Sequence, residues 1–146
     1  MHAVDIIQIH QLLGLYGHYL DDAQWDRFGE LFTPDATIDY TAVGASDVFR
    51  GLDEIVGFFR TANHPSAHHV TNIVVIDGGD DVRVHSKFLV PYTRQTHQPK
   101  RWYGGDYDDI VVDTPAGWRF AVRRCTARWQ YTSDDSSDVP QHRRTW

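Results

Sequence analysis

The chain has 146 residues, a single cysteine and a formal charge of −6 at pH 7. This length fits one domain that can bury a core without cross-links, and the lone Cys125 excludes an intrachain disulfide and a cysteine-based zinc site. The negative charge argues against a nucleic-acid interface, and the lack of a membrane-length apolar run or a signal-peptide pattern leads us to expect a soluble, cytoplasmic protein without nucleic-acid or membrane partners.

Apolar residues at three- and four-residue spacing predict an amphipathic helix near the N-terminus. They are Ile6, Ile9, Leu13, Tyr16 and Leu20. Asp21 and Asp22 follow at the C-terminal end, where the helix dipole disfavours carboxylates. We interpret Asp22 as a solvated loop residue, whereas Asp21 needs another interaction to explain its position.

Two further helices and one strand are predicted before residue 65. Apolar spacing from Trp25 to Phe32 indicates a short helix, closed by the Thr-Pro-Asp segment 33–35 because proline cannot continue it. Residues 36–40 have the composition of a strand, and residues 44–46 that of a loop. The apolar pattern from Leu52 to Phe59 predicts the third helix.

The remainder of the domain is predicted to be β structure. The expected strands are 68–76, 82–92, 102–112 and 118–131, with a polar loop over 95–100. Strands of this length usually belong to a strongly bent antiparallel sheet. Gly104-Gly105 indicates a bulge or a close approach of neighbouring chain. We therefore expect one domain over 1–131, followed by a poorly ordered or partner-held tail over 132–146.

The strand that begins at His68 offers a candidate proton carrier. Side chains alternate between the two faces of a strand, so His68 and Asn72 share one face and His69 lies on the other. One histidine should therefore look into the interior of a curved sheet, where it could act as a base. In the alternative interpretation, both histidines simply cap the end of the strand.

Three helices followed by a long antiparallel sheet predict an α+β fold in which the sheet curls around the helices as a half-open cone. Such a cone has one mouth and one closed end. The aromatic content of 13% fits either a pocket for a ring-shaped ligand or an aromatic-rich core.

Several short segments, in this order of elements, resemble the SnoaL-like branch of the NTF2-like superfamily. They are Leu20-Asp21-Asp22-Ala23-Gln24-Trp25, Leu31-Phe32-Thr33-Pro34-Asp35-Ala36, Ile38-Asp39-Tyr40, His68-His69-Val70-Thr71-Asn72 and Gly117-Trp118-Arg119-Phe120 with Arg123-Arg124. Over residues 3–131 the resemblance is closest to the group of scytalone dehydratase, bile-acid 7α-dehydratase and hexachlorocyclohexane dehydrochlorinase. It implies the NTF2-like cone, a scaffold that hosts many reactions as well as non-catalytic subunits.

The resemblance also implies a set of site residues. His68 would be the catalytic base, Asp21 its carboxylate partner, and Tyr16 a third catalytic group. Arg123, or alternatively Arg124, would line the pocket. The other substrate-binding positions that we assign are Tyr40, Tyr92, Tyr107 and Asn72. Tyr92 stands where scytalone dehydratase has a second histidine, so the pair of histidines that organises a water in that enzyme is not preserved.

These residue types suffice for syn elimination of water next to an acidified C–H bond, without a metal or nucleotide cofactor. We therefore expect a cofactor-independent lyase of the dehydratase type that acts on a hydroxylated, hydrophobic ring compound such as a polyketide or steroid. A cyclase or isomerase using the same His-Asp dyad is one alternative. A non-catalytic ligand-binding or structural cone domain is another.

The outer face of the sheet leads us to expect a homo-oligomer. Either His69, Thr71, Ile73 and Val75 or their alternates would face outwards, and so large an apolar patch is rarely left exposed. Members of the family associate through this face, so we expect a homodimer or homotrimer.

Overall fold

The computed structural model describes residues 1–62, 67–79, 81–92 and 100–133. Residues 95–99 of the predicted polar loop over 95–100 and residues 134–146 of the predicted tail over 132–146 lie outside these described residues. The expected bounds are wrong at Lys100, Thr132 and Ser133, which belong to strands because they pair across the last two strands of the chain. The helices are α1 (Ala3–Asp21), α2 (Leu52–Thr61) and two short 3-10 helices, Trp25–Glu30 and Thr41–Val43. The strands are β1 (Phe32–Asp39), β2 (Val48–Arg50), β3 (His69–Asp77), β4 (Val82–Tyr92), β5 (Lys100–Thr114) and β6 (Gly117–Ser133).

The strands form one curved six-stranded sheet in the order β2-β1-β6-β5-β4-β3. All neighbours pair in antiparallel fashion except β1 and β6, which run parallel with Ile38 opposite Arg123. The predicted α+β fold with a curved sheet is therefore confirmed, but the expectation of a wholly antiparallel sheet is wrong. The parallel pair arises because the chain passes from β1 to β2 at one edge of the sheet, crosses through α2 to β3 at the far edge, and then returns strand by strand to β6 beside β1.

The prediction of three N-terminal helices is wrong in detail. The second helix is a 3-10 helix of six residues, and the strand that follows begins at Phe32 and includes Pro34. Pro34 is tolerated because the pairing of β1 with β6 shifts register between Phe32 and Thr37, which leaves its missing N–H outside the regular ladder. α2 follows β1 and β2 in the chain, whereas the prediction had only one strand before it.

The core lies between the α-helices and the inner face of the sheet. Ile9, Leu13 and Tyr16 of α1 are completely buried, as the apolar spacing predicts. Phe28, Phe32, Phe59 and Phe120 complete an aromatic cluster, in which the rings mostly meet edge to face. Within the part of the chain that the structure describes, neither α-helix combines the length and apolar composition needed to cross a lipid bilayer.

The glycine pair of β5 permits the close approach that the sequence indicates. The pairing of β5 with β6 shifts register between Gly104 and Gly105. A Cβ atom at Gly105 would lie 2.0 Å from the carbonyl oxygen of Thr126 and 2.8 Å from the Phe88 ring. A side chain at Gly105 would therefore push two strands apart.

A bulge in β3 changes which apolar residues face outwards. The pairing with β4 shifts register between Thr71 and Val74, and Asn72 takes a left-handed conformation with φ of 52°. Val74 and Ile76 are consequently more than half exposed, whereas Ile73 and Val75 pack against the core. Beyond the bulge, the outer face therefore carries Val74 and Ile76, which are the alternates of the predicted Ile73 and Val75.

Candidate active site

A cavity of about 540 Å³ lies between the helices and the inner face of β4, β5 and β6. Phenylalanine and tyrosine rings form a large part of its described wall, and α2 contributes Phe58 and Phe59. The strands contribute Phe88, Tyr103 and Tyr107. The size and the apolar lining are typical of a site for a small organic ligand.

His68 forms part of the cavity wall and is held by Asp21. Asp21 is the last residue of α1, and His68 immediately precedes β3. The Nδ1 atom of His68 lies 2.5 Å from Oδ1 of Asp21, and the backbone N–H of His68 donates to Oδ2 at 2.9 Å. These contacts explain the carboxylate at an unfavourable helix end. With Nδ1 engaged, Nε2 is the ring nitrogen available to a ligand.

A glycine allows α1 to approach His68 closely. Gly17 lies one turn before Asp21, on the same face of the helix. A Cβ atom at Gly17 would lie 3.3 Å from the carbonyl oxygen of His68 and 3.6 Å from its Cβ. The side chain of His68 is only 5% exposed, against 22% for Asp21. Its position is thus fixed by backbone packing as well as by the carboxylate.

Three tyrosine side chains meet beside this pair. The hydroxyl groups of Tyr16 and Tyr40 are 2.5 Å apart, and the ring of Tyr16 lies edge-on to that of His68 with centroids 6.4 Å apart. Tyr40 and Tyr107 line the cavity, whereas Tyr16 is fully buried behind them. Burial raises the pKa of Tyr16 to about 12 and that of the other two well above the usual value. All three phenols therefore stay protonated and can donate hydrogen bonds at neutral pH.

A buried ion pair lies behind the tyrosines. The guanidinium of Arg123 donates through Nε and Nη2 to the two carboxylate oxygens of Asp109, both at 2.8 Å, and neither side chain is exposed. Arg123 also packs over the rings of Tyr16 and Tyr107, 4.0 and 4.2 Å from their centroids. Burial raises the pKa of Asp109, although the neighbouring guanidinium acts in the opposite direction. The positive charge of Arg123 and the negative charge of Asp109 therefore neutralise each other away from the cavity.

With this geometry established, comparison with known proteins decides the family. The profile of the SnoaL-like domain matches residues 1–124. The chain belongs to the SnoaL-like family. The recognition of this family, with its NTF2-like fold, from the sequence is therefore confirmed.

Relatives of this SnoaL-like domain include an uncharacterised protein of Mycobacterium tuberculosis, which is 33% identical over 126 residues and is matched over 82% of each chain. The small subunit of anthranilate 1,2-dioxygenase from Burkholderia cepacia is 26% identical, over 80% of this chain and 83% of the subunit. Both matches extend over most of the domain.

Two solved structures illustrate the shared fold. A putative scytalone dehydratase from Novosphingobium aromaticivorans superimposes with a TM-score of 0.74 at 22% identity, over 97% of this chain and 96% of the other. A hexachlorocyclohexane dehydrochlorinase from Novosphingobium barchaimii superimposes with a TM-score of 0.79 at 15% identity, over 94% and 95%. At these identities the likeness is one of fold.

Of the site residues predicted for the SnoaL-like domain, the structure brings Asp21 and His68 together and places Tyr40 and Tyr107 at the cavity. Arg123 does not line the cavity, because Asp109 holds it behind the tyrosine rings. The adjacent Arg124 is exposed on the outer face, where it lies 3.5 Å from Asp39.

Two other predicted site residues do not line the cavity, and the side chain of a third lies outside the described residues. Tyr16 does not reach the cavity, because Tyr40 stands in front of it. Asn72 is exposed at the β3 bulge and its Oδ1 accepts a hydrogen bond from Thr71, so it does not line the cavity. The side chain of Tyr92, at the end of β4, lies outside the described part of the structure.

Sequence reasoning missed two features of the site. The apolar pattern of α2 predicted a helix but no cavity residues, although Phe58 and Phe59 both line the cavity. Asp109 was not assigned to the site, yet it shares the inner face of β5 with Tyr107. A carboxylate on the apolar face of a strand requires a buried cation, and this requirement could have led from Asp109 to Arg123. Among the described residues, no group of three or more His, Cys, Asp or Glu side chains is arranged to hold a metal ion.

Proposed function

We propose that this SnoaL-like domain is a cofactor-independent lyase of the dehydratase type, which eliminates water from a hydroxylated ring compound such as a polyketide or steroid. The observation that carries the proposal is the 2.5 Å contact between Asp21 and His68 at the wall of an aromatic cavity. A carboxylate bound to Nδ1 fixes the tautomer in which Nε2 is the base, and it stabilises the imidazolium that forms.

The proposed reaction uses His68 twice. Nε2 removes a proton from the carbon next to a ring carbonyl, and the electron pair forms the enolate. The enolate then forms the C=C bond as the β C–O bond breaks, and the proton on Nε2 passes to the leaving hydroxyl to give water. The Tyr40 hydroxyl, which lies at the cavity, donates a hydrogen bond to the enolate oxygen.

The support from relatives is consistent with elimination chemistry. Two proteins of the same fold carry names of enzymes that eliminate water or hydrogen chloride. Because their identity to this chain is low, the fold likeness supports the scaffold, and the His68–Asp21 geometry supports the reaction class.

A cyclase or isomerase would use the same dyad to form the same enolate. The two outcomes separate after proton abstraction, because only elimination breaks the β C–O bond. Mass spectrometry of the products distinguishes them, since a dehydratase product has lost one water and an isomer or aldol-type cyclisation product formed without dehydration has not.

A non-catalytic role is the second candidate function. The similarity to the small subunit of anthranilate 1,2-dioxygenase favours it, because that protein is named as a subunit of a larger enzyme. In this case the cavity would bind a ligand, or serve only as a cone-shaped core, and His68 and Asp21 would be a structural hydrogen-bonded pair.

We expect Tyr40→Phe to lower kcat by about 10²-fold, because the variant loses the donor that faces the developing enolate oxygen. Tyr16→Phe should lower kcat less, by about tenfold, because its hydroxyl acts only by orienting that of Tyr40. The measurement is the rise in ultraviolet absorbance of the conjugated product, on a panel of cyclic β-hydroxy ketones.

The matched control for these two variants is Tyr131→Phe, since Tyr131 is 60% exposed on β6. It should keep full activity. The lyase proposal fails if the wild-type protein converts no member of the panel, and the assigned role of Tyr40 fails if Tyr16→Phe is the more damaging change.

A homodimer or homotrimer through the outer sheet face is also proposed. Val74, Ile76, Trp102, Trp129 and Tyr131 are each 40% or more exposed, an unusual concentration of large apolar side chains on strands. Sedimentation velocity at micromolar concentration should give a dimer or trimer. Val74→Glu combined with Ile76→Glu should shift it towards monomer, and a monomeric wild-type protein would contradict the proposal.

A further inference from the structure

The described part of the cavity wall is built almost without formal charge. Of the described residues that line it, none is a lysine, arginine, aspartate or glutamate. The polar groups at the wall are the phenols of the tyrosines, the imidazole of His68, the thiol of Cys125, and the hydroxyls of Ser46 and Thr61. All of them can exchange hydrogen bonds with oxygen atoms of a neutral ligand.

The groups that could become anionic are kept neutral. Burial raises the pKa of Tyr40 and Tyr107 well above the usual value, and it raises the pKa of Cys125 to about 12. These three side chains therefore carry no negative charge that could pair with a cationic ligand. Among the described lining residues, His68 is the one with a basic side chain.

Among the described residues, the buried cation beside the cavity is Arg123, and its charge is already paired. The guanidinium of Arg123 makes two hydrogen bonds to Asp109, and the rings of Tyr16 and Tyr107 lie against it. The Nη1 atom of Arg123 has no hydrogen-bond partner within the described part of the chain, but it is buried and Arg123 does not line the cavity. A ligand carboxylate could therefore reach it only by displacing the tyrosine rings that lie against the guanidinium. A carboxylate inside the cavity would therefore lose its hydration without gaining an ion pair.

We propose that the cavity selects uncharged ring compounds with hydrogen-bonding oxygens and rejects carboxylates of the same shape. This inference rests on the proposed function for the identity of the site and deepens it. The substrate inside the cavity would be a neutral hydroxy ketone, and hydroxy acids or aromatic acids of similar size would be excluded.

The test compares two probes of equal ring size, 2-naphthol and 2-naphthoate, by isothermal titration calorimetry at pH 7.5. We expect 2-naphthol to bind at least about tenfold more tightly, which corresponds to about 1.4 kcal/mol. Equal or tighter binding of 2-naphthoate would overturn the inference. A second pair, 1-adamantanol and adamantane-1-carboxylate, is measured in parallel, and failure of both neutral probes to bind also counts against it.

Variants at Val43 test whether charge is the cause. Val43 lines the cavity and is 37% exposed, so a longer side chain can be accommodated at the mouth without disturbing the core. Val43→Lys should raise the affinity for 2-naphthoate about tenfold or more and reduce or reverse the preference. Val43→Gln, of similar length without charge, should keep the wild-type preference. A change of the same size in both variants would show that shape, and not charge, sets the preference.

These measurements need no turnover, so they separate this inference from the lyase proposal. His68→Ala should keep the preference for 2-naphthol, because the neutral wall remains. A protein that prefers the neutral probes but converts no hydroxy ketone would contradict the lyase and leave the ligand class standing. A protein that eliminates water from hydroxy acids would contradict the ligand class and leave the lyase proposal standing.

Discussion

His68→Ala should reduce kcat by about 10³-fold while leaving the fold and the affinity for neutral ring ligands largely intact. The reason is that the imidazole acts mainly in the transition state, where it carries the abstracted proton, and general base catalysis with orientation contributes about 10²–10⁴-fold. The measurements are kcat and KM on a converted hydroxy ketone, ligand affinity by calorimetry, and the thermal unfolding midpoint.

Asp21→Asn is expected to reduce kcat almost as strongly. An amide cannot stabilise an imidazolium, and its NH₂ group favours the wrong tautomer of His68. The amide oxygen can still accept the backbone N–H of His68, so the local chain should keep its position. Loss of turnover with little loss of stability is therefore the expected signature of this variant.

The neighbouring histidine provides a matched control for both changes. His69 is exposed and its Nδ1 contacts the carbonyl oxygen of Ala67, away from the dyad. His69→Ala should therefore leave kcat unchanged. If His68 and Asp21 form only a structural pair, their variants will instead lose about 1–3 kcal/mol of stability, with ligand binding reduced in proportion and no specific effect on turnover.

The parts of the fold that could be predicted are those with strong local signals. β4 has the predicted bounds, Val82–Tyr92, because β-branched and apolar residues fill it between an Asp/Gly turn and a polar segment. β2 was missed because three residues give too short a pattern to detect. The parallel pairing of β1 with β6 could not be predicted, since it depends on where distant segments meet and not on either sequence alone.

The same distinction applies to the site. Asp21 could be predicted because its position at a helix end is unfavourable on local grounds. His68 could be predicted because strand alternation sends one of the two adjacent histidines inwards and the family resemblance selects His68. Whether Tyr16 and Arg123 reach the cavity or lie buried behind other side chains could not be predicted from the sequence. Both point inwards, but which inward side chain stands in front depends on tertiary packing around Tyr40 and Asp109.

The placement of Arg123 leads to the second large prediction. Arg123→Leu should destabilise the domain by about 3–5 kcal/mol, because it leaves the fully buried carboxylate of Asp109 without its cation. Urea unfolding at pH 7.5 measures this loss. Replacing both members, Arg123→Leu with Asp109→Leu, should restore most of the stability, because no charge then remains buried.

The pH dependence of the Arg123→Leu deficit provides an independent check on its cause. Burial raises the folded-state pKa of Asp109 and Arg123 lowers it, so removal of Arg123 should raise that pKa further. A carboxyl group whose pKa in the folded state lies above its value of 3.8 in the unfolded state favours folding when it is protonated. Stability therefore falls as the pH rises from the unfolded-state pKa through the folded-state pKa. The deficit of Arg123→Leu relative to wild type should therefore be smaller at pH 5 than at pH 7.5, and the double variant should lack the contribution of Asp109 to the pH dependence of stability. If Arg123→Leu instead keeps wild-type stability but weakens ligand binding more than tenfold, the arginine reaches the ligand directly, as the sequence resemblance implies, and the neutral character of the cavity is refuted.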